Sequence, residues 1–167
     1  MDQLTRLAVH RATPDDAPII ARHRAEMFRD MGEVDEAAAE RIRQATQRYM
    51  ESALASGEYI GWLAADDTGR IVGGAGVQLR PILPRPIDNG GVTLGPEALV
   101  LNVYTEHGWR RRGVARLVMS EVLAWARREN IVRLVLHASP EGRALYESLG
   151  FLASNEMRLP LAYSVSR

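Results

Sequence analysis

The stretch Ala98–Arg128, ALVLNVYTEHGWRRRGVARLVMSEVLAWARR, decides the fold of this chain. Its first part, Leu99–Thr105, is β-branched, aromatic and apolar on both faces, which predicts a buried strand at the centre of a sheet. Its last part predicts an amphipathic helix packed on that sheet, because apolar residues recur three and four positions apart from Val114 to Trp125. A turn rich in glycine and arginine joins the two elements.

This turn has the residue pattern of a phosphate-binding loop. Arg110, Gly113 and Ala115 fit Arg/Gln-x-x-Gly-x-Gly/Ala, in which small residues let the backbone approach a pyrophosphate. The alternative interpretation of the basic cluster is a solvated helix end. Arginines at a helix N-terminus oppose the helix dipole, however, and a bound anion would remove that conflict. We therefore favour an anion site.

A second strand and a short helix follow the long helix. Ile131–His137 is apolar and β-branched, and we expect it to pair in parallel with the first strand because a helix crosses between them. Ser139 is expected to cap the next helix, Pro140 to start it and Gly150 to end it. Tyr146 then lies within that helix.

Together these elements resemble the GCN5-related N-acetyltransferase (GNAT) superfamily, most clearly over residues 97–151. Two positions depart from the pattern: Ala115 stands where the last glycine of the motif is expected, and His107 where many members have a proline. The resemblance implies an α/β fold with a mixed, mostly antiparallel sheet, one splayed parallel strand pair and helices on both faces. It also implies that the turn binds the pyrophosphate of coenzyme A.

The resemblance further implies acetyl-CoA as cosubstrate and no metal. The pantetheine arm would lie between the splayed strands, where a freed N–H near Thr105 polarises the thioester carbonyl. Tyr146 would protonate the departing thiolate, with a packing role as the alternative. The expected cofactor-binding residues are Val103, Tyr104, Thr105, Arg110, Arg111, Arg112, Gly113, Val114, Ala115 and Ser139.

The nucleophile would be the amine of the acceptor, which must lose a proton. Glu106, at the end of the central strand, is our first candidate for the base, directly or through water, and His137 and Glu97 are its rivals. Helix residues expected beside the acceptor, or packed in the core instead, are His23, Glu26, Met27 and Asp30. The proline- and glycine-rich loop from Arg80 to Pro96 adds two specificity candidates, Arg85 and Asp88.

The remaining elements complete the predicted sheet. We expect a strand over Leu7–Arg11 and two helices, one to about Met31 and one from about Glu33 to Ser56. Two antiparallel strands should follow, joined by a tight turn, and a last strand should close the chain. Those three strands are Tyr59–Ala65, Ile71–Leu79 and Met157–Ala162.

Composition limits the function further. The 167 residues favour one domain over residues 1–167, and the absence of cysteine excludes a cysteine nucleophile, so acetyl transfer should be direct. No apolar run approaches ~18 residues and no signal peptide opens the chain, which predicts a cytoplasmic protein. A net charge of zero argues against nucleic acid as a partner.

The function expected from the sequence is transfer of an acetyl group from acetyl-CoA to a primary amine within a ternary complex. The acceptor would be a small molecule or a peptide. The sequence indicates no membrane partner, and it is compatible with a homodimer. Two alternatives stay open: a non-catalytic acyl-CoA-binding sensor, and a toxin-like enzyme that acetylates aminoacyl-tRNA. The neutral net charge disfavours the second.

Overall fold

The central sheet is mixed, with one parallel pair. A computed structural model describes residues 6–87 and 89–161. Within them the sheet has the strand order β1-β2-β3-β6-β7. Its strands are β1 (Ala8–Arg11), β2 (Tyr59–Ala65), β3 (Ile71–Arg80), β6 (Glu97–Thr105) and β7 (Arg133–Val135). The helices are α1 (Ala17–Asp30), α2 (Glu36–Ser56), α3 (Val114–Arg128) and α4 (Arg143–Ser148).

The predicted antiparallel and parallel pairings are confirmed. β1, β2, β3 and β6 pair antiparallel in that order, and β6 pairs in parallel with β7. Two compact units divide the chain, Met1–His137 and Ala138–Arg167, and the whole sheet lies in the first. The expectation of one domain over residues 1–167 stays a prediction.

Helices cover both faces of the sheet because side chains alternate along each strand. Tyr59 and Leu63 of β2 point to one face, where they join the buried cluster formed with residues of α1 and α2. Trp62 points to the other face and meets Trp125 of α3 edge-on, with ring centroids 5.4 Å apart. This arrangement confirms the expected helix, sheet and helix layers.

Tyr59 lies across its neighbouring strand and requires a glycine there. Its ring is 2% exposed and runs over Gly76 of β3. A Cβ atom at Gly76 would overlap the Tyr59 hydroxyl. Gly76 therefore serves close packing inside a strand.

Several predicted boundaries need correction. The loop Arg80–Pro96 contains a small hairpin of β4 (Arg85–Pro86) and β5 (Val92–Thr93). The strand predicted over Ile131–His137 is hydrogen-bonded only as β7. The predicted last strand is absent from residues 157–161, whereas Ala162, like Asp88, lies outside the described residues.

The last helix also begins later than predicted. Ser139 does not cap α4 directly, because its hydroxyl accepts from the Gly142 amide at 3.2 Å and closes a separate turn. Gly142 then stands at the N-cap of α4, and Gly150 follows the helix with a φ of 94°. Among the described helices, none is long and apolar enough to cross a membrane.

Candidate active site

The turn between β6 and α3 leaves the first N–H groups of the helix without intrahelical partners. Gly113 occupies the N-cap of α3 with a φ of 82°, a conformation that strains any L side chain. A Cβ there would meet no atom within 4 Å, so backbone conformation rather than crowding requires the glycine. The first helical amides, Val114 and Ala115, have no carbonyl partner within α3, since the intrahelical bonds begin at Leu117. Such amides can hold a phosphate.

The three arginines of the turn differ in environment. Arg110 bends back toward the sheet: its Nε donates to the Thr105 carbonyl at 3.1 Å and its Nη2 donates to Asp30 of α1. Arg112 stacks over Trp109, 5.4 Å from the ring centroid, and Arg111 is exposed with a φ of 61°. Arg110 therefore ties the turn to α1, and the other two arginines are more accessible to an anion.

The edge of β6 next to β7 is open over its second half. Parallel pairing ends at Leu99 and Val135, although β6 continues to Thr105. Glu106 N–H donates to the Val72 carbonyl at 2.9 Å, on the β3 side. Antiparallel alternation then turns the amide of Thr105 away from β3, toward the open edge. Tyr104, in contrast, pairs its backbone with Gly74.

A bulge in β6 lies beside this open edge. The register between β3 and β6 shifts between Gly74 and Gly76, which leaves two residues of β6 opposite Ala75. One of them, Asn102, has a φ of 55° and is 6% exposed. Its side-chain oxygen accepts from Arg24 at 2.7 Å, and its amide nitrogen donates to the Tyr59 hydroxyl at 3.1 Å. These two bonds hold the bulge.

Glu106, the predicted base, is held by two residues of α1. Arg22 Nη2 donates to Glu106 Oε1 at 2.5 Å, and His23 Nε2 lies 3.1 Å from the same oxygen. Because an ionised carboxylate only accepts, Nε2 of His23 carries the proton. The sequence suggested His23 and Asp30 near the site but gave no sign of Arg22 or Arg24.

At neutral pH His23 is uncharged and Glu106 carries its negative charge. Burial lowers the pKa of His23 to about 4, against the effect of its hydrogen bond to Glu106, so the ring is neutral at pH 7. Burial alone would raise the pKa of Glu106, but its contacts with Arg22 and His23 outweigh burial and lower it. Glu106 is consequently ionised at neutral pH, and it accepts hydrogen bonds better than it retains a proton.

Glu97, a rival candidate for the base, lies at the opposite end of β6. It stands nine positions before Glu106, which corresponds to roughly 30 Å of strand. Its carboxylate is 4% exposed and accepts from Arg80 at 2.5 Å and Arg133 at 2.5 Å. Glu97 therefore joins β3, β6 and β7 and takes no part in this site.

A model of the acetyltransferase (GNAT) family matches residues 22–151, which include β6, the turn, α3 and α4. The chain belongs to the GNAT family of acetyltransferases. A GCN5-related N-acetyltransferase from Ralstonia eutropha JMP134 shares 26% identity with this GNAT chain, at a TM-score of 0.80. The match covers 93% of this chain and 99% of that one.

A second solved structure has the same fold as this GNAT chain. It is a predicted acetyltransferase from Clostridium acetobutylicum, solved with acetyl-CoA, and is 24% identical at a TM-score of 0.78. The match covers 94% of this chain and 96% of that one. No curated protein matches the sequence.

The second unit of this GNAT chain carries Tyr146 on α4. Its ring packs against Phe151, with centroids 5.9 Å apart, and against Gly142, where a Cβ would lie 2.9 Å from the ring. Burial raises the pKa of Tyr146 above its usual 10. The phenol therefore keeps its proton at neutral pH, as a proton donor must. Its role, like those of Ser139 and His137, stays a prediction.

Proposed function

We propose that this GNAT domain transfers the acetyl group of acetyl-CoA to a primary amine by direct attack in a ternary complex. The observation that carries the proposal is the left-handed Gly113 at the start of α3, beside the open edge of β6. The first supplies amides for a pyrophosphate, and the second supplies unpaired backbone groups for the amides of a pantetheine arm.

Different groups of the chain would assist the separate steps of acetyl transfer. The Thr105 amide polarises the thioester carbonyl, and the amine nitrogen forms a C–N bond to its carbon while the C–S bond breaks. Tyr146 gives its proton to the thiolate. The surplus proton of the amine passes to Glu106 or, through it, to water; the lowered pKa of Glu106 favours the route to water, because this carboxylate retains a proton poorly. The absence of cysteine supports direct transfer over an acyl-cysteine intermediate.

Binding of acetyl-CoA tests the turn directly. We expect Gly113→Val to weaken binding at least about tenfold, because the new side chain shifts the φ that aims the helix amides. Gly69→Val is the matched control: Gly69 has a φ of 83°, also has nothing within 4 Å of an added Cβ, and lies in the β2–β3 turn. Calorimetry on both folded variants measures the affinities.

Release of free thiol from acetyl-CoA tests the reaction. A panel of primary amines, from amino acids and polyamines to peptide N-termini, should contain at least one that stimulates it. Unchanged affinity in Gly113→Val would contradict the assignment of the turn. Tight binding of acetyl-CoA without thiol release from any amine would favour the acyl-CoA sensor instead.

A further inference from the structure

Asp30, the last residue of α1, holds two basic side chains that follow β6. Its Oδ2 atom lies 3.0 Å from His107 Nε2 and also accepts from Arg110 Nη2. Because a carboxylate oxygen only accepts, His107 donates through Nε2. His107 begins a single 3₁₀ turn, His107–Trp109, and Arg110 directly follows that turn. One side chain of α1 therefore fastens the chain on both sides of this turn.

Arg110 carries this contact on to the backbone at the end of β6. Its Nε donates to the Thr105 carbonyl at 3.1 Å. The peptide group that contains this carbonyl also contains the N–H of Glu106, which donates to the Val72 carbonyl at 2.9 Å. Both polar atoms of the peptide group are thus paired, one with Arg110 and one with β3. These two bonds set the direction in which the chain leaves the strand and enters the turn before α3.

The residue pattern of the turn indicates what Arg110 contributes. The first position of Arg/Gln-x-x-Gly-x-Gly/Ala accepts arginine or glutamine, which both carry side-chain N–H donors, whereas only arginine carries a charge. The property that they share is donation to an acceptor such as the Thr105 carbonyl. Arg111 is exposed and Arg112 stacks over Trp109, so the turn has two further arginines for an anion. These observations favour a backbone acceptor over a phosphate for Arg110.

We propose that Asp30 is a positioning residue for acetyl-CoA: it orients Arg110, and Arg110 holds the end of β6 in place instead of binding a phosphate. The amides of Val114 and Ala115 then meet the pyrophosphate from a turn that is fixed to both β6 and α1. The inference rests on the proposed function, in which this turn binds the cofactor. Charge repulsion alone predicts the opposite effect of Asp30, because a carboxylate beside the turn disfavours a bound anion.

Calorimetry with acetyl-CoA measures the sign of this effect. We expect Asp30→Ala to weaken binding at least about fivefold, although it removes a negative charge, because Arg110 loses its charged acceptor. Glu36→Ala is the matched control: Glu36 also pairs with an arginine of α1, Arg29 at 2.9 Å, and its loss removes the same charge. The control should bind acetyl-CoA within about twofold of the wild type. Equal or tighter binding by Asp30→Ala overturns the proposal.

Substitutions of Arg110 distinguish a hydrogen-bond donor from a charge. Arg110→Gln keeps a side-chain N–H and Arg110→Met removes it, whereas both remove the charge. We expect the glutamine variant to bind acetyl-CoA within about threefold of the wild type and the methionine variant to bind at least about tenfold more weakly. Equal losses overturn the proposal, since the cofactor would then require the charge.

A double variant tests whether Asp30 acts through Arg110. When Arg110 is already methionine, Asp30→Ala should lose most of its effect on affinity, because the carboxylate has no guanidinium left to orient. An undiminished effect of Asp30→Ala in that background overturns the proposal.

Amide hydrogen exchange in the protein without cofactor reports on the end of β6 itself. Asp30→Ala should speed the exchange of the Glu106 amide at least about fivefold, because its peptide group is no longer held from both sides. The Ala12 amide, which donates to Gly61 at 2.9 Å beside β1, is the internal reference. Unchanged exchange at Glu106 overturns the proposal.

Thiol release separates this proposal from the proposed function. Affinity that depends on Asp30, without thiol release from any amine, supports the positioning role and contradicts acetyl transfer. Thiol release with unchanged acetyl-CoA affinity in Asp30→Ala supports acetyl transfer and overturns the positioning role. A wild-type protein that does not bind acetyl-CoA contradicts both.

Discussion

At the residue scale, the neutral His23 connects the site to stability. Only 2% of it is exposed, and burial lowers its pKa from 6.5 to about 4. As the pH falls below about 6.5, His23 binds a proton in the unfolded chain but not in the folded chain. Stability therefore decreases until about pH 4. At about pH 5.5 this proton alone costs roughly 1.4 kcal/mol of unfolding free energy.

Urea unfolding of the wild type and of His23→Gln at about pH 7.5 and pH 5.5 measures this cost. Glutamine can donate to Glu106 but does not titrate. We expect the wild type to lose about 1.4 kcal/mol more than the variant between the two pH values. Equal losses would mean that His23 is protonated in the folded protein near its ordinary pKa.

Tyr146 permits a second test at this scale. Tyr146→Phe keeps the ring contact with Phe151 and removes only the phenolic proton, so acetyl-CoA affinity should be unchanged while kcat falls about a hundredfold or more. Tyr49→Phe, which removes an exposed phenol bonded to Gln78, is the control. The rate is measured with an amine for which chemistry limits turnover. Turnover within about twofold of wild type would leave Tyr146 a packing residue.

At the element scale, the bulge in β6 depends on one side chain and on one unusual backbone angle. Asn102 has a positive φ, at which glycine is favoured over alanine, whereas in an extended strand glycine is the less stable of the two. We therefore expect Asn102→Gly to be more stable than Asn102→Ala by about 1 kcal/mol. Both lose the bonds to Arg24 and Tyr59.

The same pair of substitutions at Leu99 provides the control for the bulge. Leu99 pairs with Gln78 and Val135 in the regular part of β6, so its glycine variant should be the less stable one. Urea unfolding of the four variants measures both differences. The same order of stability at both positions would show that Asn102 has no special conformation in solution.

The strand, turn and helix around Gly113 could be predicted because each has a strong local signal. Apolar periodicity marks β6 and α3, and a glycine between them marks the turn. The bulge could not be predicted in the same way, because Asn102 is a single polar residue in an apolar strand and its partners lie far away in sequence. That lone asparagine was nevertheless a signal of a buried polar contact.

At the scale of the whole molecule, prediction failed where long-range pairing decides the structure. The residues of Ile131–His137 favour a strand, yet only Arg133–Val135 pairs, and the pairing stops at Leu99 although β6 continues to Thr105. The segment from Met157 alternates as a strand should, but residues 157–161 find no partner strand in the structure. Local sequence describes the preference of a segment and not the edge available to it.

Most of the candidate site could not be predicted, because its residues lie far apart in the sequence. Glu106 was predicted from its place at the end of a strand, whereas Arg22 meets it from α1, 84 positions earlier. Tyr104 was expected to contribute its backbone, and the structure instead pairs that backbone with Gly74 and surrounds the ring with ion pairs. Only the packing of α1 on β6 brings these groups together.

The contact between Tyr59 and Gly76 restricts the evolutionary routes open to this sheet. A lineage that acquires any side chain at position 76 first must displace a buried phenol and its bond to Asn102. A lineage that first shortens Tyr59 passes only through an intermediate with a cavity, which a later side chain at position 76 can fill. The loss of Tyr59 must therefore come before the substitution of Gly76. Related chains that lack the glycine should derive from ancestors that had already lost the tyrosine.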